Sequence, residues 1–128
     1  MIAAAKIQKN ISQNILVVDD EPLFRKLLKR VLVKDGHKVT LAGDGIEGLR
    51  QLKNRSFDIV LTDINMPNMD GWEFLKHVDN LYPELRTAVI TGLSSSEGMS
   101  QDPSLSTKKI IRKPLSLKII RKLISDLA

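Results

Sequence analysis

Short apolar runs, each followed by a stretch with helical spacing, constrain the fold of this chain more than any other feature. Residues 15–18 form an unbroken apolar run, which is typical of a strand covered on both faces. After Pro22 the apolar residues recur at helical spacing, until Gly36 provides a stop signal. Further strands are predicted at residues 39–41, 57–63, 87–91 and 110–111. Five strands interleaved with helices predict an α/β fold, with a parallel sheet and helices on both of its faces.

Acidic residues at a characteristic spacing indicate where two of the later helices begin. The pairs, each three residues apart, are Asp44 with Glu47 and Asp70 with Glu73. In each pair the first acid can cap the helix and the second falls in its first turn. Serines could also start a helix within residues 94–107, but a glycine and a proline interrupt that segment. The fourth helix, between the last two strands, is therefore predicted to be short or irregular.

Length and composition predict one small domain. The chain has 128 residues, of which we assign 1–13 to an N-terminal tail and 14–128 to the domain. The absence of cysteine excludes disulfides, thiolate zinc sites and cysteine nucleophiles. No apolar run approaches the roughly 18 residues that a membrane-spanning helix needs. We therefore expect a soluble, cytoplasmic domain that does not bind membranes.

The basic charge of the chain raises the question of nucleic-acid binding. The formal net charge is +5, and basic residues cluster on the first predicted helix and near the end of the chain. On the first helix they occupy the positions between the apolar residues, as expected of a solvated face. No helix-turn-helix, basic zipper or aromatic-rich sheet accompanies them. The sequence therefore does not favour direct nucleic-acid binding.

Polar residues at the ends of the predicted strands point to the functional site. In an open parallel sheet, ligands bind outside the carboxyl ends of the strands. The residues at these ends are Asp19, Asp20 and Glu21 after the first strand, Asp63 at the third, Thr91 at the fourth and Lys113 after the fifth. Carboxylates in one cleft repel each other unless an ammonium group or a divalent cation offsets them. Magnesium takes carboxylate and phosphate oxygens, so the set predicts a magnesium and phosphate site.

Four short motifs, taken together, resemble the receiver domain of bacterial two-component response regulators. Residues 15–22 (ILVVDDEP) resemble the acidic opening of that family, and residues 58–67 (DIVLTDINMP) resemble its phosphorylation-site block. Residues 89–92 (VITG) and 112–114 (RKP) match its later hydroxyl and lysine motifs. The likeness extends over residues 15–127. It implies a doubly wound, flavodoxin-like sheet with the strand order 2-1-3-4-5.

The resemblance also implies a role for each residue of the predicted site. Asp63 would accept a phosphoryl group from a phosphohistidine of a sensor histidine kinase or a phosphotransfer protein. The implied magnesium ligands are Asp20, Asp63 and the backbone carbonyl of Asn65, with Asp19 acting through a bound water. The residues implied to contact the phosphoryl oxygens are Thr91 and Lys113. Phosphorylation would then change the binding of a downstream effector, and any catalysis would be limited to transfer and loss of the domain's own phosphoryl group.

Two departures from the family pattern, Ile110 and residues 104–107 (SLST) in place of the usual Gly-Ala step, concern the response to phosphorylation. Ile110 stands where the family usually has Tyr or Phe, and because it is wholly apolar we predict that it stays buried. We therefore expect phosphorylation to order or displace residues 93–109, rather than to move the side chain at 110. Leu93 cannot orient an attacking water, so slow self-hydrolysis of the phosphoryl group is expected.

Two alternative functions remain open at the level of sequence. The first is an interaction domain that kept the pocket but works without phosphorylation, an alternative that Ile110 keeps open. The second is a magnesium-dependent phosphatase with an aspartate nucleophile. Such enzymes usually carry a second Asp two residues after the nucleophile, where this chain has Asn65.

Overall fold

A parallel sheet flanked by helices forms the part of the chain that the computed structural model describes, residues 11–92, 100, 102–113 and 115–128. The strands are β1 (Asn14–Val18), β2 (Lys38–Ala42), β3 (Ile59–Thr62), β4 (Arg86–Thr91) and β5 (Lys109–Arg112). The α-helices of the described residues are α1 (Pro22–Lys34), α2 (Gly45–Asn54), α3 (Gly71–Leu81) and α4 (Leu117–Leu127). All neighbouring strands are parallel, in the order β2-β1-β3-β4-β5. The predicted fold class and strand order are confirmed.

The two faces of the sheet pack against different pairs of helices. One face, with Leu16, Val18, Val60 and Val89, packs against side chains of α2 and α3. The other face packs against α1 and α4; its strand residues are Ile15, Val17, Ile59, Leu61, Ala88 and Ile90. Each strand contributes alternate residues to the two layers, because successive side chains point to opposite faces. This double burial explains why the central strands are unbroken apolar runs in the sequence.

The helix ends follow the predicted capping chemistry. The Asp44 side chain accepts a hydrogen bond from the Glu47 N–H at 2.8 Å, and Asp70 accepts one from the Glu73 N–H at 2.8 Å. Past the end of α1, Gly36 has a φ of +96°, a left-handed conformation in which glycine carries no steric penalty. Each of these positions is where the sequence predicted a helix boundary.

Three predictions differ from the structure or lie beyond its described part. The predicted burial of Ile110 is wrong. Ile110 lies on the edge strand β5, where it pairs with Val89 of β4, and it is 38% exposed. The described part of the segment between β4 and β5 contains only a 3₁₀ turn, Pro103–Leu105; residues 93–99 and 101, where the fourth helix was predicted, lie outside the described residues. Residues 1–10 of the predicted tail also lie outside them. Among the described helices, none is both long and apolar enough to cross a membrane.

His37 connects the start of β2 to the segment that precedes β1. Its Nδ1 accepts a hydrogen bond from the Gln13 N–H at 3.0 Å, and the Lys38 N–H donates to the Gln13 carbonyl at 2.9 Å. Partial burial lowers the pKa of His37, although the nearby Asp35 carboxylate opposes this effect. A protonated Nδ1 could no longer accept the hydrogen bond, so the folded state favours the neutral ring.

The lowered pKa of His37 predicts a pH-dependent loss of stability. As the pH falls below about 6.5, the unfolded chain takes up a proton at this histidine before the folded chain does. The contribution of His37 is therefore complete above that pH and is lost below it. We expect the melting temperature to fall more between about pH 7.5 and pH 5.5 for the unmodified protein than for His37→Asn, in which the amide oxygen can accept the same bond. A His77→Asn variant, altered at an exposed position, serves as the control. If the melting temperatures of His37→Asn and the unmodified protein fell equally over this pH range, the prediction would be contradicted.

Candidate functional site

The sheet brings the predicted site residues together at its carboxyl edge. Asp19 follows β1, Asp63 follows β3, Thr91 ends β4 and Lys113 follows β5, and these four strands are direct neighbours. Backbone hydrogen bonds extend the ladder to these positions: the Asp63 N–H donates to the Val18 carbonyl at 2.9 Å, and the Lys113 N–H donates to the Thr91 carbonyl at 2.9 Å. The positions of the side chains are therefore set by strand register.

Three carboxylates at this edge form a set suited to a divalent cation. Oxygens of Asp19, Asp20 and Asp63 lie within 4.8 Å of one another. Asp19 is 1% exposed and Asp63 is 6% exposed, whereas Asp20 lies at the surface. Hard oxygen donors in this number, open to water on one side, fit magnesium, which keeps several of its waters when a protein binds it.

An open cavity of about 270 Å³ lies over the carboxylates. Its lining residues are Asp20, Glu21, Asp63, Asn65, Thr91 and Gly92. The cavity therefore places the Asn65 and Thr91 positions beside two of the three carboxylates. Leu93, which was expected to flank the path of an attacking water, lies outside the described residues.

Lys113 is the ammonium group of the site and contacts carboxylates from two strand ends. Its Nζ lies 2.8 Å from Asp19 Oδ2, 2.7 Å from Glu21 Oε1 and 3.3 Å from Asp63 Oδ2. The side chain is only 13% exposed. Among the described residues, the carboxylates of this edge outnumber the ammonium groups that contact them, which leaves negative charge for a cation to neutralise.

The protonation of Asp19 and Lys113 reflects this arrangement. Burial raises the pKa of Asp19, and the negative charge of Asp63 adds to the rise, while hydrogen bonds from Lys113 and the Glu21 N–H oppose it. Burial alone would lower the pKa of Lys113, but the hydrogen bonds to Asp19 and Glu21 outweigh it and hold the pKa above its ordinary value. Lys113 is therefore an ammonium ion throughout the physiological pH range.

The loop after β3 fixes the orientation of Asp63. Asp63 Oδ1 accepts a hydrogen bond from the Ile64 N–H at 2.7 Å, which leaves Oδ2 facing Lys113. The Gly71 N–H closes the loop by donating to the Ile64 carbonyl at 2.7 Å. Asn68 has a φ of +69° and donates from Nδ2 to Asp44 Oδ2 at 2.8 Å, which ties the loop to the start of α2. The backbone N–H of the next residue therefore orients one oxygen of the Asp63 carboxylate, and the other oxygen faces Lys113.

Sequence reasoning missed two residues that support the site from the start of α1, Phe24 and Arg25, and it named Glu21 only as a strand-end residue without a partner. Glu21 contacts the Lys113 ammonium, Phe24 lies beneath it with the ring centroid 4.1 Å from Nζ, and Arg25 Nη1 donates to the Asp19 carbonyl at 2.6 Å. The available signal was position alone, because Phe24 and Arg25 lie only four and five residues after Asp20 in the chain. The helical spacing of the residues after Pro22 predicted that Phe24 belongs to the core and that Arg25 is solvated. This spacing carries no information about contacts with the strand ends.

Comparisons with known proteins agree with this geometry. A family described as the response regulator receiver domain matches residues 15–125. The sensor histidine kinase RcsC of Escherichia coli K12 is 33% identical over 115 residues, which cover 90% of this chain and 12% of RcsC. The chain thus spans about an eighth of the length of this relative.

Two solved structures share the fold at higher coverage. A CheY-like response regulator receiver domain protein from Methanospirillum hungatei has a TM-score of 0.82 and 29% identity, over 91% of this chain and 94% of that one. The response regulator protein TrrA from Thermotoga maritima, solved in complex with Mg²⁺-BeF, has a TM-score of 0.82 and 28% identity, over 91% and 99% of the two chains. Since the family match covers most of the sequence, the chain belongs to the response regulator receiver domain family of two-component signalling.

Proposed function

We propose that this domain receives a phosphoryl group on Asp63 in a magnesium-dependent reaction and signals through the phosphorylated state. The observation that carries the proposal is the contact of Lys113 Nζ with both Asp19 and Asp63, beside three carboxylate oxygen donors within 4.8 Å of one another. Phosphoryl transfer needs positioning and stabilisation of charged oxygens more than it needs covalent chemistry from the protein. A buried carboxylate beside an ammonium group and a cation site meets that need.

The transfer is a displacement at phosphorus. An oxygen of the Asp63 carboxylate forms a bond to phosphorus while the nitrogen–phosphorus bond of the donor phosphohistidine breaks, and the electron pair of that bond returns to the imidazole nitrogen. Magnesium held by Asp19, Asp20, Asp63 and the Asn65 carbonyl would supply positive charge to the carboxylates and to the phosphoryl oxygens. Lys113 pairs with a phosphoryl oxygen, and the Thr91 hydroxyl donates to another.

The proposed phosphodonor is a sensor histidine kinase or a phosphotransfer protein. Support comes from RcsC, a relative whose name describes a sensor histidine kinase. The open cavity over Asp63 gives a donor side chain access to the carboxylate. The downstream effector is a protein whose binding differs between the phosphorylated and free states, because a ligand shifts a two-state equilibrium only through such a difference.

Chemical phosphorylation followed by trapping tests the proposal. The protein is incubated with acetyl phosphate and magnesium and then reduced with borohydride, which converts an aspartyl phosphate to homoserine. Peptide mass mapping is expected to place the reduced residue at position 63 only. Absence of label in folded protein would instead favour an interaction domain that works without phosphorylation. Repeated turnover of p-nitrophenyl phosphate would favour the phosphatase alternative.

The metal site gives a separate prediction about Asp19 and Asp20. Asp19 already accepts hydrogen bonds from Lys113 and the Glu21 N–H, whereas no hydrogen bond or ion pair within the described residues engages Asp20. Removing the charge of Asp20 should therefore cost more magnesium affinity than removing that of Asp19. We expect Asp20→Asn to weaken magnesium binding by about tenfold or more and Asp19→Asn by less, measured by calorimetry.

A matched control for the magnesium titration is Asp58→Asn. Asp58 lies before β3, at the opposite end of that strand from Asp63, and its carboxylate accepts a hydrogen bond from the Asn14 N–H at 2.8 Å. This variant should bind magnesium as the unmodified protein does. A larger loss in Asp19→Asn than in Asp20→Asn would show that Asp19 is the direct ligand and would reverse the assignment.

A further inference from the structure

We propose that Phe24 is a positioning residue that holds the ammonium group of Lys113 at the phosphoryl site through a cation–π contact. Lys113 Nζ lies over the Phe24 ring, 4.1 Å from its centroid. An ammonium group within about 6 Å of an aromatic face is attracted by the ring quadrupole, and more strongly when water is excluded. The Lys113 side chain is 13% exposed, so much of its length is shielded from water.

The ring differs from every other partner of the Lys113 ammonium group in the described part of the chain. The other contacts are to carboxylates: Asp19 at 2.8 Å, Glu21 at 2.7 Å and Asp63 at 3.3 Å. A metal ion or a phosphoryl group changes the charge and the availability of these oxygens. The ring has no lone pair or proton to exchange, so its attraction for the cation persists whatever ligand occupies the site.

The fold places Phe24 rigidly enough for this role. It is the third residue of α1, and its side chain packs against the buried cluster between the sheet and the helices α1 and α4. Asp19, Glu21 and Phe24 lie within six consecutive residues, so one short segment supplies three contacts to a lysine that follows β5. A leucine at position 24 would fill similar space but would offer the ammonium no electrostatic attraction.

The effect of Phe24 on phosphoryl binding rests on the proposed function. When Asp63 carries a phosphoryl group, Lys113 exchanges a carboxylate contact for a phosphoryl oxygen. During that exchange the Phe24 ring keeps Nζ beside Asp19 and Asp63 and disfavours its rotation out to solvent. The ring thereby lowers the conformational cost of binding the phosphoryl oxygen, and it does so without touching the phosphoryl group itself.

Fluorination of the ring separates electrostatics from packing. Pentafluorophenylalanine at position 24 keeps the size of the ring and reverses its quadrupole. We expect the affinity for beryllofluoride, measured at saturating magnesium, to fall about fivefold, and that for magnesium alone to change less than about twofold. The same replacement at Phe57, a partly buried ring of the opposite layer, should leave both affinities unchanged. Phe24→Leu should lower the beryllofluoride affinity in the same direction but by less, because leucine only removes the attraction, whereas the fluorinated ring also repels the ammonium group.

A measurement on the ligand-free, unmodified protein tests the contact independently. The ring current of Phe24 should move the ε-methylene protons of Lys113 upfield, and Phe24→Leu should abolish that shift. Equal beryllofluoride affinity for the native and fluorinated rings, or an unshifted Lys113 methylene, would overturn the inference. Failure of the unmodified protein to bind beryllofluoride would instead overturn the proposed function, while the methylene shift would still report on the contact.

Discussion

Replacing Asp63 with Asn is expected to abolish phosphoryl incorporation from acetyl phosphate, because an amide oxygen does not form an acyl phosphate. The fold should persist, since the amide is similar in shape and its oxygen can still accept the hydrogen bond from the Ile64 N–H. Lys113 also keeps its contacts to Asp19 and Glu21. The substitution removes a negative charge from beside the buried Asp19, so the free energy of unfolding in metal-free buffer should rise by roughly 1 kcal/mol. Intact-mass spectrometry and chemical denaturation measure the two effects.

Asp70→Asn is the matched control for Asp63→Asn. Asp70 caps α3 at an exposed position, and Asn caps helices equally well. This variant should be phosphorylated to the same extent as the unmodified protein. Magnesium should raise the melting temperature of the control more than that of Asp63→Asn, because only the control retains all of the proposed magnesium ligands. Equal phosphoryl incorporation in Asp63→Asn and the control would refute the assignment of Asp63 as the acceptor.

Substitution of Gly71 is expected to have the largest effect on stability. A Cβ atom at Gly71 would lie 1.9 Å from the carbonyl oxygen of Asp63 and 2.8 Å from Cα of Ile64. Both are backbone atoms, so no side-chain rotation can relieve the clash, and either the loop or the start of α3 must move. We expect Gly71→Ala to lower the free energy of unfolding by about 3 kcal/mol. Because the displaced backbone carries Asp63, magnesium affinity should fall as well.

Gly92→Ala tests whether any alanine at this edge of the sheet is harmful. A Cβ atom at Gly92 would meet no atom of the described residues within 4 Å. The free energy of unfolding of Gly92→Ala should therefore stay within about 0.5 kcal/mol of that of the unmodified protein. If Gly71→Ala were as stable as Gly92→Ala in urea denaturation, the close approach of Gly71 to Asp63 would not be a constraint on the loop.

The fold was predictable from sequence because strand burial and helix capping each require particular residue types at particular positions. A strand buried on both faces must be apolar at every position, and residues 15–18 are. Asp44 and Asp70 mark helix starts because a carboxylate there satisfies a backbone N–H that has no partner within the helix. The start of β3 was harder to place: Asp58 was included in the strand, but its side chain accepts a hydrogen bond from the Asn14 N–H before the strand begins.

Only those residues of the candidate site that lie at strand ends were predictable from the sequence. The positions of Asp63 and Lys113 follow from topology, because parallel strands end at one edge. The contact of Phe24 depends on a lysine far along the chain, and that of Arg25 depends on the rotamer that reaches the Asp19 carbonyl, so periodicity predicts neither. The prediction that Ile110 is buried failed for a related reason. Apolar character predicts burial only where a second layer covers the strand, and the edge position of β5 leaves this side chain partly exposed.

The separation of Asp19 and Lys113 by 94 residues has a consequence for how the protein is made. A ribosome adds about 5–20 residues each second, so the aspartates emerge several seconds before the lysine. Until β5 joins the sheet, the nascent chain carries its acidic cluster without the ammonium group that pairs with Asp19 and Asp63. A translation product that stops before residue 113 therefore lacks the ammonium group of the proposed phosphoryl site. The contacts of the ammonium group with Asp19 and Asp63 therefore form only after β5 has been synthesised.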